Sequence, residues 1–166
     1  GPVFQLQVVP GRGDLVAAEA RVRRSLALME QIGDKEGEAR AWHSLCWVVR
    51  ERGDLAAAES CVRRSLALME QIANQNGQGS AWNELGIVAR VRGDLAAAEA
   101  CFRRSLALME HTGDQQAVGN CWVDLGSVAA EQGDLDAAAR WFRRSRHLAR
   151  RLGTSRLEIC LLYTSP

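Results

Sequence analysis

The sequence lacks long apolar runs, C-x-x-C pairs and any signature of secretion. No apolar stretch reaches the roughly 18 residues that a membrane-spanning helix needs, and no secretory signal is recognisable. The five cysteines form an odd set without the spacing of a disulfide framework or a zinc cluster. These absences favour reduced thiols in a cytoplasmic protein that binds no metal, no other cofactor and no membrane.

Catalytic motifs are also missing. His43, His111 and His147 have no cysteine or serine at a fixed spacing, and H-E-x-x-H, P-loop and G-x-S-x-G motifs do not occur. The sequence therefore predicts that the chain is not an enzyme.

Lysine is nearly absent, because Lys35 is the only one and arginine supplies the remaining positive charge. We interpret this preference as a GC-rich coding bias and predict a bacterial source. The formal net charge is only +1, which gives no overall attraction to nucleic acid or to an anionic membrane.

One stretch is present in four copies. RGDLAAAESCVRRSLALMEQI begins at Arg52, recurs with few changes from Arg12 and Arg92, and recurs in a divergent form from Gln132, so the period is 40 residues. A fixed period of this length is typical of a stacked repeat array, in which each unit buries its apolar surface against its neighbours.

Each copy predicts two antiparallel helices, and no segment shows the alternation of a strand. Gly53 is suited to closing one helix in the left-handed conformation and Asp54 to capping the next; Gly13 and Asp14 take these roles in the first copy. Apolar residues then recur at spacings of three and four, and a second amphipathic segment separates successive copies. The predicted helices span about 14–32, 35–51, 54–72, 76–91, 94–111, 115–131 and 134–152.

The two ends are interpreted apart from the array, which is predicted over residues 12–153. Residues 1–11 are taken as the remnant of a preceding helix that Pro10 would end. Residues 154–166 are taken as a tail, whose last part, CLLYTSP (160–166), resembles the conceptual translation of a sequencing adapter. Because the chain also begins without Met, we expect a fragment or a processed product whose natural sequence continues past residue 159.

The repeated spacing of tryptophan, leucine, glycine, Gly-Asp, alanine and an aromatic residue resembles the tetratricopeptide repeat (TPR). In the second copy, Cys46 replaces the helix-crossing glycine and Val62 the aromatic residue. The family's proline after the second helix is missing and the repeat is longer than usual, which is similar to the 40-residue variety in LGN/Pins-type adaptors and bacterial LuxR- and STAND-type regulators. The matching residues are Trp42, Leu45, Gly53, Asp54, Ala58, Trp82, Leu85, Gly86, Gly93, Asp94, Ala98, Phe102, Trp122, Leu125, Gly126, Gly133, Asp134, Ala138 and Phe142.

The resemblance implies an all-α fold, a right-handed α-solenoid of antiparallel helix pairs in a TPR-like superhelix. The first helix of each pair (helix A) would line a concave groove, and the second (helix B) would lie on the convex side. The motif tryptophans are expected to fill the space between neighbouring hairpins, so that Trp82→Ala costs roughly 3–5 kcal/mol. By the same analogy, the groove positions are Arg40, His43, Ser44, Trp47, Arg50, Ser80, Asn83, Glu84, Ile87, Arg90, Asn120, Val123, Asp124 and Ser127.

The leading hypothesis is a protein–protein interaction scaffold that binds a peptide or protein segment in this groove, within a larger bacterial regulatory protein. Its expected contacts are Arg40, Trp47, Asn83 and Arg90. Trp47 lies outside the repeat motif, and it is either a partner-binding anchor or a surface tryptophan packed on a neighbouring helix. The family's carboxylate clamp of paired lysine and asparagine does not occur. The alternative hypothesis is a structural spacer, or a self-association module whose ends pair with a second copy.

Two further features have both a functional and a structural interpretation. Arg-Gly-Asp at 12–14, 52–54 and 92–94 is interpreted as a recurring turn and cap rather than as a cell-adhesion ligand. Between Arg140 and Arg156 there are seven arginines and no acid, because Ala139 replaces the glutamate of earlier copies. This helix would fit an acidic partner or nucleic acid. The lack of a groove-reading motif favours instead a solvated convex face, or arginine stems that cover the end of the solenoid.

Overall fold

The computed structural model describes residues 11–153, which form seven α-helices and no strand. Turns of two or three residues join successive helices. The segment before residue 11, with the predicted helix remnant, and the tail after residue 153 lie outside the described residues. The helices are α1 (Arg12–Ile32), α2 (Lys35–Glu51), α3 (Leu55–Gln71), α4 (Gln75–Val91), α5 (Leu95–Thr112), α6 (Gln115–Glu131) and α7 (Leu135–Leu152).

The helices stack as antiparallel pairs in a right-handed solenoid, which confirms the predicted all-α fold. The A helices are α2, α4 and α6, and the B helices are α1, α3, α5 and α7. One buried apolar cluster joins α2, α3 and α4, and another joins α5, α6 and α7. Each hairpin therefore buries its apolar surface against its neighbours in the chain, and no central core is needed.

Glycine and aspartate separate most of the helices. Gly53 has a φ of 85°, and the Asp54 carboxylate accepts a hydrogen bond from the backbone N–H of Ala57 at 2.9 Å. The aspartates before α5 and α7 cap those helices in the same way, so α3, α5 and α7 begin one residue after their cap. Such a cap is worth about 1 kcal/mol.

The first helix begins differently from the prediction. Gly11 is its N-cap, and Asp14 lies in its first turn, where the carboxylate accepts a hydrogen bond from the N–H of Gly11 at 3.1 Å. The expected helix stop at Gly13 and cap at Asp14 are therefore wrong. A carboxylate three residues inside the helix also satisfies a free N–H and interacts favourably with the helix dipole.

One turn has an alanine where its counterparts have glycine. Ala73, between α3 and α4, has a φ of 53°, close to the values of 72° and 78° at Gly33 and Gly113. Asn74 still caps α4 by accepting from the N–H of Gly77 at 2.9 Å. The left-handed conformation costs a residue with a Cβ roughly 1–2 kcal/mol, so the turn is strained at Ala73.

The motif tryptophans lie at the edge of the core. Trp42 and Trp82 are half buried, whereas Phe102 is the largest fully buried side chain. The guanidinium groups of Arg64 and Arg104 lie over these two indoles, 4.8 and 4.5 Å from the ring centroids. Each indole therefore contacts the core and an arginine at once.

A column of buried serines connects each B helix to the A helix before it. The hydroxyls of Ser65, Ser105 and Ser145 donate to the carbonyl of the residue 26 positions earlier, at 2.8, 2.7 and 3.1 Å. That residue is alanine in the first case and glycine in the other two, so the two helices can approach closely. The bonds satisfy polar groups that burial would otherwise leave unpaired.

Candidate protein-binding groove

Side chains of α2, α4 and α6 meet on one side of the solenoid, which we call the A-helix groove. All the positions predicted for the groove lie on these three helices. The 40-residue period places equivalent residues side by side, so that Arg40, Ser80 and Asn120 form one exposed row. The groove is therefore built from three parallel copies of one helix face.

Ion pairs join neighbouring A helices across the groove. Arg50 on α2 donates to Glu84 on α4 at 2.7 Å, and these side chains are only 17% and 19% exposed. Arg90 on α4 lies 3.5 Å from Glu131 on α6. Because partly buried pairs are screened less by salt than exposed ones, they help to hold the three helices at a fixed spacing.

A buried carboxyl group makes a further link between α4 and α6. The amide of Asn83 donates to Asp124 at 2.8 Å. Burial raises the pKa of Asp124, while the hydrogen bond from Asn83 acts in the opposite direction. Asn83 therefore stabilises the ionised form of Asp124, which burial disfavours.

The predicted groove residues fall into three groups. The polar atoms of Arg50, Glu84, Asn83 and Asp124 bind one another and form the floor. The hydroxyls of Ser44 and Ser127 donate to carbonyls four residues earlier on their own helices. The remaining positions are exposed or half buried along the groove: Arg40, His43, Trp47, Ser80, Ile87, Arg90, Asn120 and Val123.

Trp47 lies beside a cavity at the end of the groove next to α1. Its side chain is 45% exposed, more than any motif tryptophan. It lines a cavity of about 390 Å³ together with Arg21, Val22, His43 and Glu84. The indole is therefore more accessible than those of the motif tryptophans.

A second, smaller cavity lies further along the groove, between α4 and α6. Its volume is about 210 Å³, and its rim includes His43, Ser80 and Asn120. Ser105 and Cys121, which lie 3.3 Å apart, form part of its floor. The groove thus has two depressions connected at His43.

The B helices carry a ladder of ion pairs that the sequence prediction missed. Glu19 binds Arg52, and Glu59 binds Arg92, in each case 33 residues later. Glu59 also accepts from Arg63 at 2.8 Å, and this bond, followed by that from Arg92, lowers the pKa of Glu59. The ladder could have been predicted from the sequence, because the glutamate and the arginine of each pair both recur with the 40-residue period.

The ladder and the turns account for Arg-Gly-Asp at 52–54 and 92–94, whereas residues 12–14 lie inside the first turn of α1. In residues 52–54, Arg52 binds the preceding repeat, Gly53 takes the left-handed conformation and Asp54 caps α3. Each of the three residues thus has a structural role, which supports the interpretation as a turn and cap.

The four cysteines within residues 11–153 are packing residues. Cys46, Cys61 and Cys121 are buried, and Cys101 is partly buried. Burial raises the pKa of Cys46 to about 12 and that of Cys121 to about 11. A thiol with such a pKa is almost entirely protonated at neutral pH and is a poor nucleophile.

Neither a metal-binding cluster nor a membrane-spanning helix is found in the described part of the chain. Within residues 11–153, no three His, Cys, Asp or Glu side chains are close enough to hold a metal ion. None of the helices in this range is both long enough and apolar enough to cross a membrane.

Known structures share this fold. BtubC (BKLC) from P. vanneervenii superposes with a TM-score of 0.75 at 19% identity, over 85% of this chain and 59% of the BtubC chain, so this chain spans less than two thirds of that protein. A putative kinesin light chain with nearly identical TPR-like repeats from Podosopora anserina gives a TM-score of 0.67 at 12% identity, over 84% of this chain and 69% of that one. A variant of it gives 0.68 at the same identity, over 84% and 68%. These identities show a shared fold alone.

Sequence comparison points to the same architecture. No curated protein is significantly similar to the chain. A family model described as tetratricopeptide repeat matches residues 11–71 and 77–151. Because the match covers most of the sequence, the chain belongs to the tetratricopeptide repeat family.

Proposed function

We propose that the A-helix groove binds an extended or helical segment of a partner protein, with Trp47 as the main anchor. Tetratricopeptide repeats in general mediate protein–protein interaction. The observation that carries the proposal is the exposed Trp47 beside a cavity of about 390 Å³. Binding energy usually concentrates at a few aromatic or arginine side chains next to a pocket that excludes water.

The floor of the groove supports this use because it is already ordered. The Arg50–Glu84 and Asn83–Asp124 bonds hold α2, α4 and α6 together without a partner. A preorganised surface loses less conformational entropy on binding, so more of the contact energy appears as affinity.

The exposed residues suggest the chemistry of the partner segment. An apolar side chain would enter the Trp47 cavity, while Arg40, Ser80 and Asn120 would contact polar groups of its backbone or side chains. Asn83 and Arg90, expected as contacts, would act mainly by positioning Asp124 and Glu131.

We further propose that the scaffold works within a larger bacterial regulatory protein. Two features support this proposal: the 40-residue repeat, which resembles the arrays of adaptors and regulators, and the near absence of lysine.

The test is selection of peptides from a random displayed library on the chain, followed by fluorescence anisotropy of one selected peptide. Trp47→Ala should weaken its binding by at least ~10-fold, as expected for a central anchor. Leu135→Ala is the control, because Leu135 is also a large apolar residue and is even more exposed, at 67%, but lies on a B helix. Equal binding to wild type and Trp47→Ala by every selected peptide would refute the proposal.

Self-association is the second candidate, and one observation favours it. Leu28 and Ile32 on α1 are 57% and 69% exposed, although Leu68, the counterpart of Leu28, is buried. A second copy would cover this apolar surface. Light scattering distinguishes the two functions: a concentration-dependent dimer that Leu28→Glu abolishes supports self-association, and a monomer at all concentrations excludes it.

A further inference from the structure

The last B helix, α7, lacks the glutamate that neutralises one arginine in each earlier B helix. Glu59 lies four residues before Arg63 and Glu99 four residues before Arg103, and each pair is bonded at 2.8 Å. Ala139 occupies this position before Arg143. Six arginines of α7 are exposed, and no ion pair within residues 11–153 involves them: Arg140, Arg143, Arg144, Arg146, Arg150 and Arg151.

A cleft on the B-helix side lies against this charge, between α5, α6 and α7. We call it the C-terminal cleft; its volume is about 340 Å³. Leu125 and Ala129 form its apolar floor. Its walls are Glu99, Arg103, Gln132, Asp134, Ala137, Arg140, Trp141 and Arg144.

Trp141 makes this cleft different from its counterpart one repeat earlier. The guanidinium carbons of Arg144 and Arg103 lie 5.2 and 5.7 Å from the centroid of its ring. In the preceding repeat, Cys101 occupies the position of Trp141. The earlier cleft is lined by Trp82, Arg63 and Arg92, but both of these arginines are paired with Glu59.

The ion pair that lies across the earlier cleft is replaced by a weaker bond at the C-terminal cleft. Arg92 binds Glu59 across the earlier cleft. Gln132 replaces the arginine at the C-terminal cleft, and its amide lies 3.5 Å from Glu99. A neutral amide at this distance gives a much weaker bond than an ion pair, so the C-terminal cleft is more accessible to an outside group.

We propose that the C-terminal cleft binds an acidic segment of a partner protein. Carboxylates of the segment would pair with Arg140 and Arg144, and one apolar side chain would pack on Trp141 above the Leu125 floor. None of the residues that line the cleft belongs to the A-helix groove positions, and the groove plays no part in the proposal.

The lining of the cleft favours a peptide over nucleic acid. The cleft floor of Leu125 and Ala129 suits an aliphatic side chain, which nucleic acid does not offer. A single indole also offers no series of stacking platforms for successive bases.

The experiment uses fluorescence anisotropy with two labelled probes, a decaglutamate peptide with one central leucine and a decathymidylate. Arg144→Glu should weaken binding of the peptide by at least ~10-fold through charge reversal. Trp141→Cys, which reproduces the side chain of the preceding repeat, should weaken it by ~5-fold or more. The control is Arg24→Glu, because Arg24 is the exposed counterpart of Arg144 on α1 and changes the net charge equally.

Retained helicity and an unchanged thermal transition establish that each variant folds. The proposal is overturned if the peptide does not bind, if Arg24→Glu weakens binding as much as Arg144→Glu, or if Trp141→Cys has no effect. Tighter binding of decathymidylate with the same dependence on Arg144 also overturns it in favour of nucleic acid.

Discussion

The phenyl ring of Phe102 lies directly against Gly86, where an added Cβ would stand only 2.5 Å from the ring edge. The second repeat has Cys46 and Val62 at these two positions, and both are buried in the same cluster. A larger residue on helix A is therefore matched by a smaller one on helix B. Side-chain volume that is added at one position is removed at the other, so the hairpin packs in the same way in both repeats.

This relationship predicts a strong coupling between Gly86 and Phe102. Gly86→Cys should destabilise by about 1–3 kcal/mol through overpacking, and Phe102→Val by about 2–3 kcal/mol through a cavity. The double variant reproduces the second repeat, so its loss should be smaller than the sum of the two by about 1–3 kcal/mol. Urea unfolding of all four proteins measures the coupling, and additive losses would show that the volumes do not compensate.

Ala73→Gly should stabilise the protein. Glycine adopts the left-handed conformation without the penalty that Ala73 bears at a φ of 53°, and the gain should be about 1 kcal/mol. The control is Ala56→Gly, because Ala56 is exposed in α3 and its replacement should cost about 1 kcal/mol. A loss of stability in both variants would contradict the strain assigned to this turn.

Glu59→Gln tests the inter-repeat ladder through its pH dependence. Hydrogen bonds from Arg63 and Arg92 lower the pKa of Glu59 in the folded protein. The stabilisation is therefore fully present above the unfolded pKa of about 4.3 and is lost as the pH falls through the lowered folded value. At neutral pH the variant should lose about 0.5–1 kcal/mol, because both pairs are near the surface.

Unfolding titrations between neutral and acid pH check this prediction. The difference between wild type and Glu59→Gln should shrink at acid pH and at high salt. Glu70→Gln should show neither effect, since Glu70 is exposed and makes no ion pair within the described residues. A difference that stays constant with pH would mean that the ladder contributes nothing electrostatic.

Asn83→Ala should destabilise the protein more at neutral pH than in acid. Burial raises the pKa of Asp124 against the hydrogen bond from Asn83, so ionisation of Asp124 costs stability as the pH rises through the raised value. Removing Asn83 should cost about 1–3 kcal/mol at neutral pH, because a buried carboxylate loses its partner. The cost should fall in acid, where the carboxyl is protonated. Asn76→Ala, at an exposed position of α4, is the control, and an equal cost at all pH values would argue against this account.

The helices and their order could be predicted because the responsible interactions are local. The Gly-Asp steps and the apolar spacing act within one or two turns, and the 40-residue period identifies the stacking. The start of α1 was missed because Asp14 works equally well inside the first turn as at the cap. Which role an aspartate takes depends on the preceding chain.

The groove could be predicted only as a set of positions. The pairing of Arg50 with Glu84, and of Asn83 with Asp124, depends on the rotation between neighbouring repeats. That rotation follows from the packing of whole hairpins, which no local pattern encodes. The same limit applies to Trp82, whose half-buried place under Arg104 depends on tertiary packing.

The five tryptophans offer the most direct test of the A-helix groove, because each indole N–H gives its own NMR resonance. Titration of the labelled chain with a selected peptide should shift the Trp47 resonance and leave that of Trp141, on the opposite helices, unchanged. A shift at Trp141 with none at Trp47, or no shift at either, would contradict binding in the A-helix groove.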